Sequence, residues 1–209
     1  MQTTRWWWIR HAPVTTDGGR VYGQRDLPAD TSNARAFKGL AAAMPRQAVW
    51  VTSHLQRTDQ TARAIAAAGA EFSEPAVEPD LAEQHFGDWQ GEIRTEVFAR
   101  HGDPHSLWLM PARLRAPNGE SFEDLCIRVA PVIARLTEAH AGKDIIAVAH
   151  GGTIRAALQA AMGLSYEKAV AFTTDNLSLT RIDHLRNKHG EAWRVIGVNL
   201  PPEGLAQTK

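Results

Sequence analysis

Three short apolar runs, each stopped by polar residues, constrain the fold of this chain more than any other feature. They occupy residues 6–9, 48–51 and 145–149. Runs of this length suit a buried strand and are too short for a buried helix. The first run leads into Arg10 and His11, and a proline two residues later cannot donate the next hydrogen bond of a sheet ladder. Each run is therefore predicted to be a buried strand followed by polar side chains.

Helical patterns lie between these strands, and further strands follow them. The helical patterns cover residues 33–44, 58–68, 121–140 and 153–162, and two more apolar runs cover 177–182 and 193–198. Ser121 opens the third helical pattern with a sequence typical of a capping box. Strands that alternate with helices are typical of an α/β protein with helices on both faces of a parallel sheet. The sequence thus predicts a three-layer α/β/α sandwich with a mainly parallel central sheet.

One domain is expected to account for most of the chain, over residues 1–200. Residues 85–118 are rich in glycine and proline, and we interpret them as an excursion over the sheet edge rather than a second domain. Trp89 and Trp108 lie in this stretch and are candidates either for packing or for the wall of a ligand pocket. The last residues, 201–209, are expected to form a disordered tail.

The charge balance limits the kinds of partner. The chain has 23 Lys and Arg residues against 23 Asp and Glu residues, so its bulk charge favours neither nucleic acid nor an anionic membrane. No apolar run approaches the roughly 18 residues that a membrane helix needs. The single cysteine, Cys126, excludes an internal disulfide and a cysteine-based metal site. The histidines lack the spacing typical of metal ligands. We expect a cytoplasmic protein that uses no metal or other cofactor.

Polar side chains at the predicted strand ends carry the chemistry. Ligands of open parallel sheets bind beyond the carboxyl ends of the strands, where Arg10, His11, Arg57 and His150 are expected. A guanidinium group can donate two parallel hydrogen bonds to phosphate oxygens. An imidazole can accept a phosphoryl group if its reacting nitrogen carries no proton. Gly151 lets backbone N–H groups and a helix N-terminus come close to an anion. Together these residue types predict a site for a phosphate ester.

Four blocks of sequence, in matching order, resemble the signatures of the histidine phosphatase superfamily, the phosphoglycerate mutase-like proteins. The blocks are Arg10-His11, residues 53–62, residues 81–91 and His150-Gly151-Gly152. Residues 119–121 fit a fifth, weaker block. The resemblance implies the phosphoglycerate mutase-like α/β fold.

The resemblance also implies a role for each matching residue. Arg10, Arg57 and His150 would bind the phosphoryl group. His11 would carry it covalently as the nucleophile, and Glu83 would protonate the departing oxygen. Because side chains would supply all the positive charge, the resemblance implies catalysis without a metal.

The segment that follows the nucleophile corresponds to the substrate-reading loop of these proteins. Arg20, Tyr22 and Arg25 lie in this segment and are candidates for direct contact with the substrate. Residues 22–28 are similar to a segment of the α-ribazole phosphatases of cobalamin synthesis. Arg155 lies one turn into the helix after His150, where an arginine is expected to be structural.

Some positions depart from the usual pattern. Ala12 and Pro13 replace the Gly-Glu pair that more often follows the nucleophile, which removes one backbone N–H. Asp17 stands where many relatives have an asparagine that contacts phosphate. Its charge would repel a phosphate ester unless the side chain faced away or paired with Arg20 or Arg25.

The leading interpretation is a phosphatase that hydrolyses a small phosphorylated metabolite through a phosphohistidine on His11. Two alternatives stay open. One is a phosphoglycerate mutase-type transferase that returns the phosphoryl group to its substrate. The other is a non-catalytic regulator that binds a phosphorylated ligand on the same fold, an alternative kept open by Ala12, Pro13 and Asp17. The sequence specifies neither the metabolite nor the oligomeric state.

Overall fold

The computed structural model describes residues 1–101 and 110–203. Its centre is a six-stranded sheet with the order β3-β2-β4-β1-β5-β6. The strands are β1 (Gln2–Arg10), β2 (Val49–Thr52), β3 (Ala76–Val77), β4 (Asp144–Ala149), β5 (Leu179–Asn187) and β6 (Gly190–Leu200). Strands β1 to β4 are parallel to one another. Strand β5 is antiparallel to β1, and β6 is antiparallel to β5. The last two strands form a hairpin because only residues 188–189 join them.

Helices cover both faces of the sheet, so the predicted three-layer arrangement is confirmed. They are α1 (Ala34–Ala43), α2 (Gln56–Ala67), α3 (Arg94–His101), α4 (Phe122–Ala139), α5 (Gly151–Met162) and α6 (Tyr166–Ala169). One apolar cluster packs α1 and α2 against one face, and a second packs α4 and α5 against the other. In the part of the chain that the structure describes, no helix has both the length and the apolar character needed to cross a membrane.

The three consecutive tryptophans of β1 show why this segment is a strand. Trp6 and Trp8 are fully buried on one face, where their rings stack with centroids 4.7 Å apart. Trp7 points to the opposite face, and the guanidinium of Arg181 lies 4.0 Å from its ring centroid. The period of two that a strand imposes thus divides the tryptophans between the two layers. The Trp6 indole N–H also donates to the Thr137 hydroxyl of α4 at 2.9 Å, which ties the strand to its covering helix.

Strand register brings the polar strand ends together. The sheet pairs Thr52 with Val148 and Arg10 with Ala149. Because β1, β2 and β4 are parallel, the residues after each strand emerge at the same edge of the sheet. His11, Ser53 and His150 therefore leave the sheet side by side.

Two helices begin earlier than predicted. Helix α2 starts at Gln56 rather than at residue 58, since the Asp26 carboxylate accepts the Gln56 backbone N–H at 2.8 Å. This cap comes from a distant loop and has no local signature. Helix α5 starts at Gly151 rather than at residue 153, directly after the extended His150. The predicted capping box of α4 is present, with Ser121 as its first member.

The irregular stretch and the C-terminal segment complete the description. Phe86 and Trp89 line the same cavity as Arg10, so the stretch predicted to pass over the sheet edge instead covers the carboxyl ends of the strands. Pro202 is buried, and its carbonyl lies against Gly39 of α1. The rest of the predicted tail, 204–209, lies outside the described residues.

Candidate active site

His11 is held in the orientation that a nucleophile needs. It follows β1, is almost fully buried, and its Nδ1 lies 2.7 Å from the Ala12 carbonyl oxygen. A carbonyl oxygen only accepts, so Nδ1 carries the proton and Nε2 has its lone pair available. The Thr61 hydroxyl accepts the Ala12 N–H at 2.9 Å and so helps to hold the backbone of Ala12 in place. Replacement of the usual glycine by Ala12 thus leaves the support of the imidazole intact.

His150 is oriented by Ser53. The two side chains are joined by a 2.8 Å hydrogen bond between His150 Nε2 and Ser53 Oγ. Ser53 Oγ already accepts the Leu55 N–H at 3.3 Å, which favours the hydroxyl as donor to Nε2. The His150 proton is then on Nδ1, a buried atom without a hydrogen-bond partner in the described structure. The ring lies beside His11, with centroids 5.2 Å apart.

Arg10 is anchored at one end only. Its Nη1 donates to the Thr174 carbonyl at 2.5 Å, while its Nε is buried without a partner among the described residues. Thr174 Oγ1 is also buried and without a partner there. A Cβ atom on Gly151 would lie 3.1 Å from Thr174 Oγ1 and 3.5 Å from Arg10 Nε. Glycine at this position therefore leaves room for these polar atoms to face one space.

Arg57 is fully buried in the first turn of α2, where backbone carbonyls hold both of its Nη atoms. Its Nη1 donates to the Arg25 carbonyl at 2.9 Å, and its Nη2 donates to the Gly23 carbonyl at 2.6 Å. Only Nε has no partner among the described residues. Each Nη carries two N–H groups and donates only one of them in these bonds, so Arg57 can still offer a phosphate more than one hydrogen bond together with its charge.

Four buried polar atoms without partners define an anion site at the strand ends. They belong to Arg10, Arg57, His150 and Thr174. Buried polar groups are nearly always hydrogen-bonded, so several unsatisfied donors beside one glycine indicate space for a missing acceptor. With two guanidinium charges among these groups, an anion such as a phosphoryl group matches the site best.

The site keeps both imidazoles neutral. Burial, followed by the charges of Arg57 and Arg10, holds the pKa of His11 well below its ordinary value. Burial and the same arginines, with His11, also lower the pKa of His150. A lowered pKa means that His11 Nε2 stays unprotonated at neutral pH, as nucleophilic attack requires.

Glu83 faces the same space from the loop that follows a 3₁₀ turn at Pro79–Leu81. Its Oε1 accepts the backbone N–H groups of Gly152 and Gln84, each at 3.0 Å. Its Oε2 has only a longer 3.4 Å contact to Gly152, so this oxygen is the one that can carry a proton for transfer. A side chain at position 152 would collide with Glu83, so the His-Gly-Gly block serves close approach rather than a tight turn.

A cavity of about 500 Å³ opens over these groups. Arg10, Glu83, Gly151 and Gly152 line its inner end. Its walls are largely apolar, with side chains from the loop after β1 and from residues 86–122. Trp89 lines the cavity and also packs in a buried apolar cluster, so both of the roles considered for it are present, whereas Trp108 lies outside the described residues.

The substrate-reading loop is placed only partly as expected. Tyr22 lines the cavity, but Arg20 and Arg25 are exposed and do not. The Arg20 Nη1 instead donates to the Gly91 carbonyl at 2.7 Å, because residue 20 bridges to the strand-like backbone at residue 93. Neither of these two arginines lines the cavity, and their direct contact with the substrate stays a prediction.

Asp17 lines the cavity but does not pair with either arginine proposed for it. Its carboxylate instead accepts from Arg94 at 2.5 Å. Arg155, expected to be structural, also lines the cavity, and its Nε donates to the Phe172 carbonyl at 2.7 Å. Burial lowers the pKa of Arg155, and the charge of Glu83 opposes this effect.

Sequence reasoning missed two residues of the segment before β5. Thr174 contributes a hydroxyl to the anion site, and Asn176 donates from its side chain to the His11 carbonyl at 2.8 Å. Neither belongs to a periodic pattern or a recognised block. Ser53 and Thr61 lie inside the second block, whose hydroxyls could have been identified as supports for the histidines.

Within residues 1–101 and 110–203, no group of three or more His, Cys, Asp or Glu side chains could hold a metal ion. Positive charge near the cavity's inner end comes from arginines.

Comparison with known proteins identifies the family. The sequence profile of the histidine phosphatase superfamily (branch 1) matches residues 6–199. The chain belongs to this superfamily. The structure of mycobacterial glucosyl-3-phosphoglycerate phosphatase has a similar fold, with a TM-score of 0.79 and 26% identity. That similarity covers 95% of this chain and 99% of the mycobacterial chain.

Some proteins that resemble this chain in sequence are named for different activities. A 2,3-bisphosphoglycerate-dependent phosphoglycerate mutase of Gloeobacter violaceus is 34% identical over 156 residues, which cover 71% of each protein. An adenosylcobalamin/alpha-ribazole phosphatase of Escherichia coli is 26% identical over 184 residues, or 86% of this chain and 89% of that protein. A bifunctional protein of Mycobacterium tuberculosis is 32% identical over 171 residues, 78% of this chain but only 46% of that protein.

The lowered histidine pKa values lead to a direct prediction. As pH falls from about 8 to about 6, free histidine titrates near its ordinary pKa of about 6.5. The ring nitrogens of His11 and His150 should keep the ¹⁵N NMR shifts of neutral imidazole over this range, with the proton on Nδ1. Spectra of His11→Asn and His150→Asn would assign the signals. A midpoint near that of free histidine for either ring would contradict this account of the site.

Proposed function

We propose that the protein is a metal-independent phosphatase that hydrolyses a small phosphomonoester through a phosphohistidine on His11. One observation carries the proposal. The lone pair of a buried, neutral imidazole lies beside four buried polar atoms that have no partners among the described residues. That combination supplies a nucleophile and a binding site for the oxygens of the group it attacks.

In the first step, His11 Nε2 forms a bond to phosphorus while the bond from phosphorus to the ester oxygen breaks. Arg10, Arg57 and His150 stabilise the charge on the phosphoryl oxygens. Glu83 gives its proton to the departing alkoxide, which leaves as an alcohol. The first step produces a phosphohistidine, a Glu83 carboxylate and the free alcohol.

In the second step, water attacks the phosphohistidine. Glu83 now takes a proton from the water, whose oxygen bonds to phosphorus as the bond to Nε2 breaks. Inorganic phosphate leaves, His11 is again neutral, and Glu83 is again protonated. Arginine side chains supply positive charge throughout, so the proposed reaction needs no metal.

Two alternatives differ in what happens after phosphate binds. A mutase would return the phosphoryl group to an acceptor alcohol instead of water, and a regulator would bind the ligand without turnover. An α-ribazole phosphate is one candidate substrate, supported by residues 22–28 and by the similarity to the Escherichia coli phosphatase. If the purified protein releases alcohol and inorganic phosphate from an ester in equal molar amounts, that result supports hydrolysis over both alternatives.

The nucleophile can be tested by rapid quenching. Protein stopped during turnover of a ³²P-labelled ester should carry acid-labile, base-stable phosphate on His11, and the His11→Asn variant should carry none. The same variant should lose at least about 10³-fold in kcat, because no other group replaces the nucleophile. His189→Asn, an exposed substitution in the β5–β6 turn, is the matched control.

All of these assays should give the same rates in the presence of EDTA. Label on a serine, or substantial activity in the His11→Asn variant, would refute the covalent mechanism. Loss of activity on chelation, restored by added zinc or magnesium, would refute its metal independence.

Glu83 as proton donor can be separated from Glu83 as a positioning group. Glu83→Gln keeps an oxygen that can accept from Gly152 and Gln84, but it removes the transferable proton. The first phosphoryl transfer from an alkyl phosphate should slow by about 10²–10⁴-fold. Transfer from p-nitrophenyl phosphate should slow far less, since nitrophenolate leaves without a proton.

The burst phase must be measured, because the second step needs Glu83 as a base for both substrates. Equal losses in the burst rate for the alkyl and aryl esters would show that Glu83 acts only by position.

A further inference from the structure

We propose that the Asp17–Arg94 ion pair makes this site selective for phosphate esters of apolar alcohols that carry no second negative charge. This inference names the substrate class of the proposed phosphatase and so rests on that function. It starts from the outer half of the cavity, beyond the groups that bind the phosphoryl oxygens.

The outer walls offer mainly apolar surface to a leaving group. Val14, Phe86, Phe98 and Leu114 are half-buried side chains that line this part of the cavity, beside the buried Trp89. Phe86 and Leu114 pack against the same apolar cluster as Trp89. On binding, the apolar atoms of an ester would move out of water and into contact with these walls. This transfer favours binding in proportion to the apolar area buried.

Part of the polar surface in the outer half is already engaged with the protein. The Gln84 side-chain amide donates to the Glu120 carbonyl at 2.8 Å. The ring of Tyr22 packs against the Arg57 guanidinium, 5.1 Å from its centroid. A leaving group rich in hydroxyls would give up its bonds to water and find few replacements here.

The positive charges of the cavity either lie at its inner end or are paired with a carboxylate. Among the described lining residues, the cations are Arg10, Arg94 and Arg155. Arg10 belongs to the anion site. The charges of Glu83 and Arg10 act on the pKa of Arg155, which places Arg155 at the same inner end of the cavity. The outer cation, Arg94, lies 2.5 Å from the carboxylate of Asp17 and also donates to the Arg20 carbonyl at 2.9 Å.

Within residues 1–101 and 110–203, the ion pair therefore leaves no uncompensated cation for a carboxylate or a second phosphate in the outer half. It also explains how Asp17 is tolerated so close to a phosphate site, because Arg94 neutralises its charge. Substitution of Asp17 should expose Arg94 to an incoming anion. Asn is the matched replacement, since it keeps the shape and an oxygen acceptor for the Gly19 N–H.

Three esters with similar primary alkoxide leaving groups test this selectivity. They are 3-phenylpropyl, 3-hydroxypropyl and 3-carboxypropyl phosphate. For the wild-type protein, kcat/KM should be roughly tenfold to a hundredfold higher for the phenyl ester than for the hydroxyl ester, as burial of an aromatic ring predicts. The carboxyl ester should be the poorest substrate of the three.

The ratio of kcat/KM for the carboxyl ester to that for the phenyl ester isolates the ion pair. In Asp17→Asn this ratio should rise about threefold to fivefold, which is the scale of a partly exposed charge pair. In the double variant Asp17→Asn/Arg94→Gln it should return to the wild-type value, because the exposed cation has been removed. Turnover of the phenyl ester by each variant shows that the active site is folded.

The outcomes separate this inference from the proposed function. If the wild-type protein hydrolyses none of the three esters and also leaves p-nitrophenyl phosphate intact, the phosphatase function itself fails. If it hydrolyses the esters but prefers the carboxyl or hydroxyl compound, the substrate class is wrong. An unchanged ratio in a folded Asp17→Asn variant would overturn the role of the ion pair.

Discussion

Two guanidinium groups, those of Arg10 and Arg57, are held at the carboxyl ends of a parallel sheet, and among the described residues neither has a carboxylate partner. Burial of a charge without a counter-charge is costly. Backbone carbonyls of Gly23, Arg25 and Thr174 offset part of that cost. The remaining N–H groups stay unsatisfied, and a bound phosphoryl group would complete them.

Other features of the site depend on this buried positive charge. It helps to keep His11 and His150 neutral, so that one imidazole can attack and the other can donate a hydrogen bond. Both rings are fixed by contacts that set the tautomer, to the Ala12 carbonyl and to Ser53. Asp17, an acidic side chain that lines the cavity, is paired with Arg94. An anion from solution therefore meets an unfilled set of donors.

The strand ends were predictable from sequence because the physics that forms them is local. Short apolar runs followed by Arg10, His11 and His150 indicate both the strands and the edge at which the site lies. The sequence blocks added Glu83 and Arg57, which a pattern of hydrophobicity alone would not distinguish from solvated surface residues. The three-layer fold followed from the alternation of strands and helices.

What the sequence did not reveal depends on contacts between distant segments. Thr174 and Asn176 reach the nucleophile because β5 pairs antiparallel with β1, and no local pattern predicts that approach. Arg20, a candidate for substrate contact, is exposed and donates to the Gly91 carbonyl, and Asp17 pairs with Arg94, 77 residues away. Side-chain direction in loops depends on such contacts rather than on residue type.

The most direct test of this account is a crystal structure of the protein with orthovanadate, which adopts the five-coordinate geometry of phosphoryl transfer. The account predicts vanadium bonded to Nε2 of His11. Its oxygens should lie within hydrogen-bond distance of Arg10 Nε, His150 Nδ1 and Thr174 Oγ1. Vanadate bonded to a different side chain would contradict it. So would vanadate bound elsewhere in the cavity while those atoms still lacked partners.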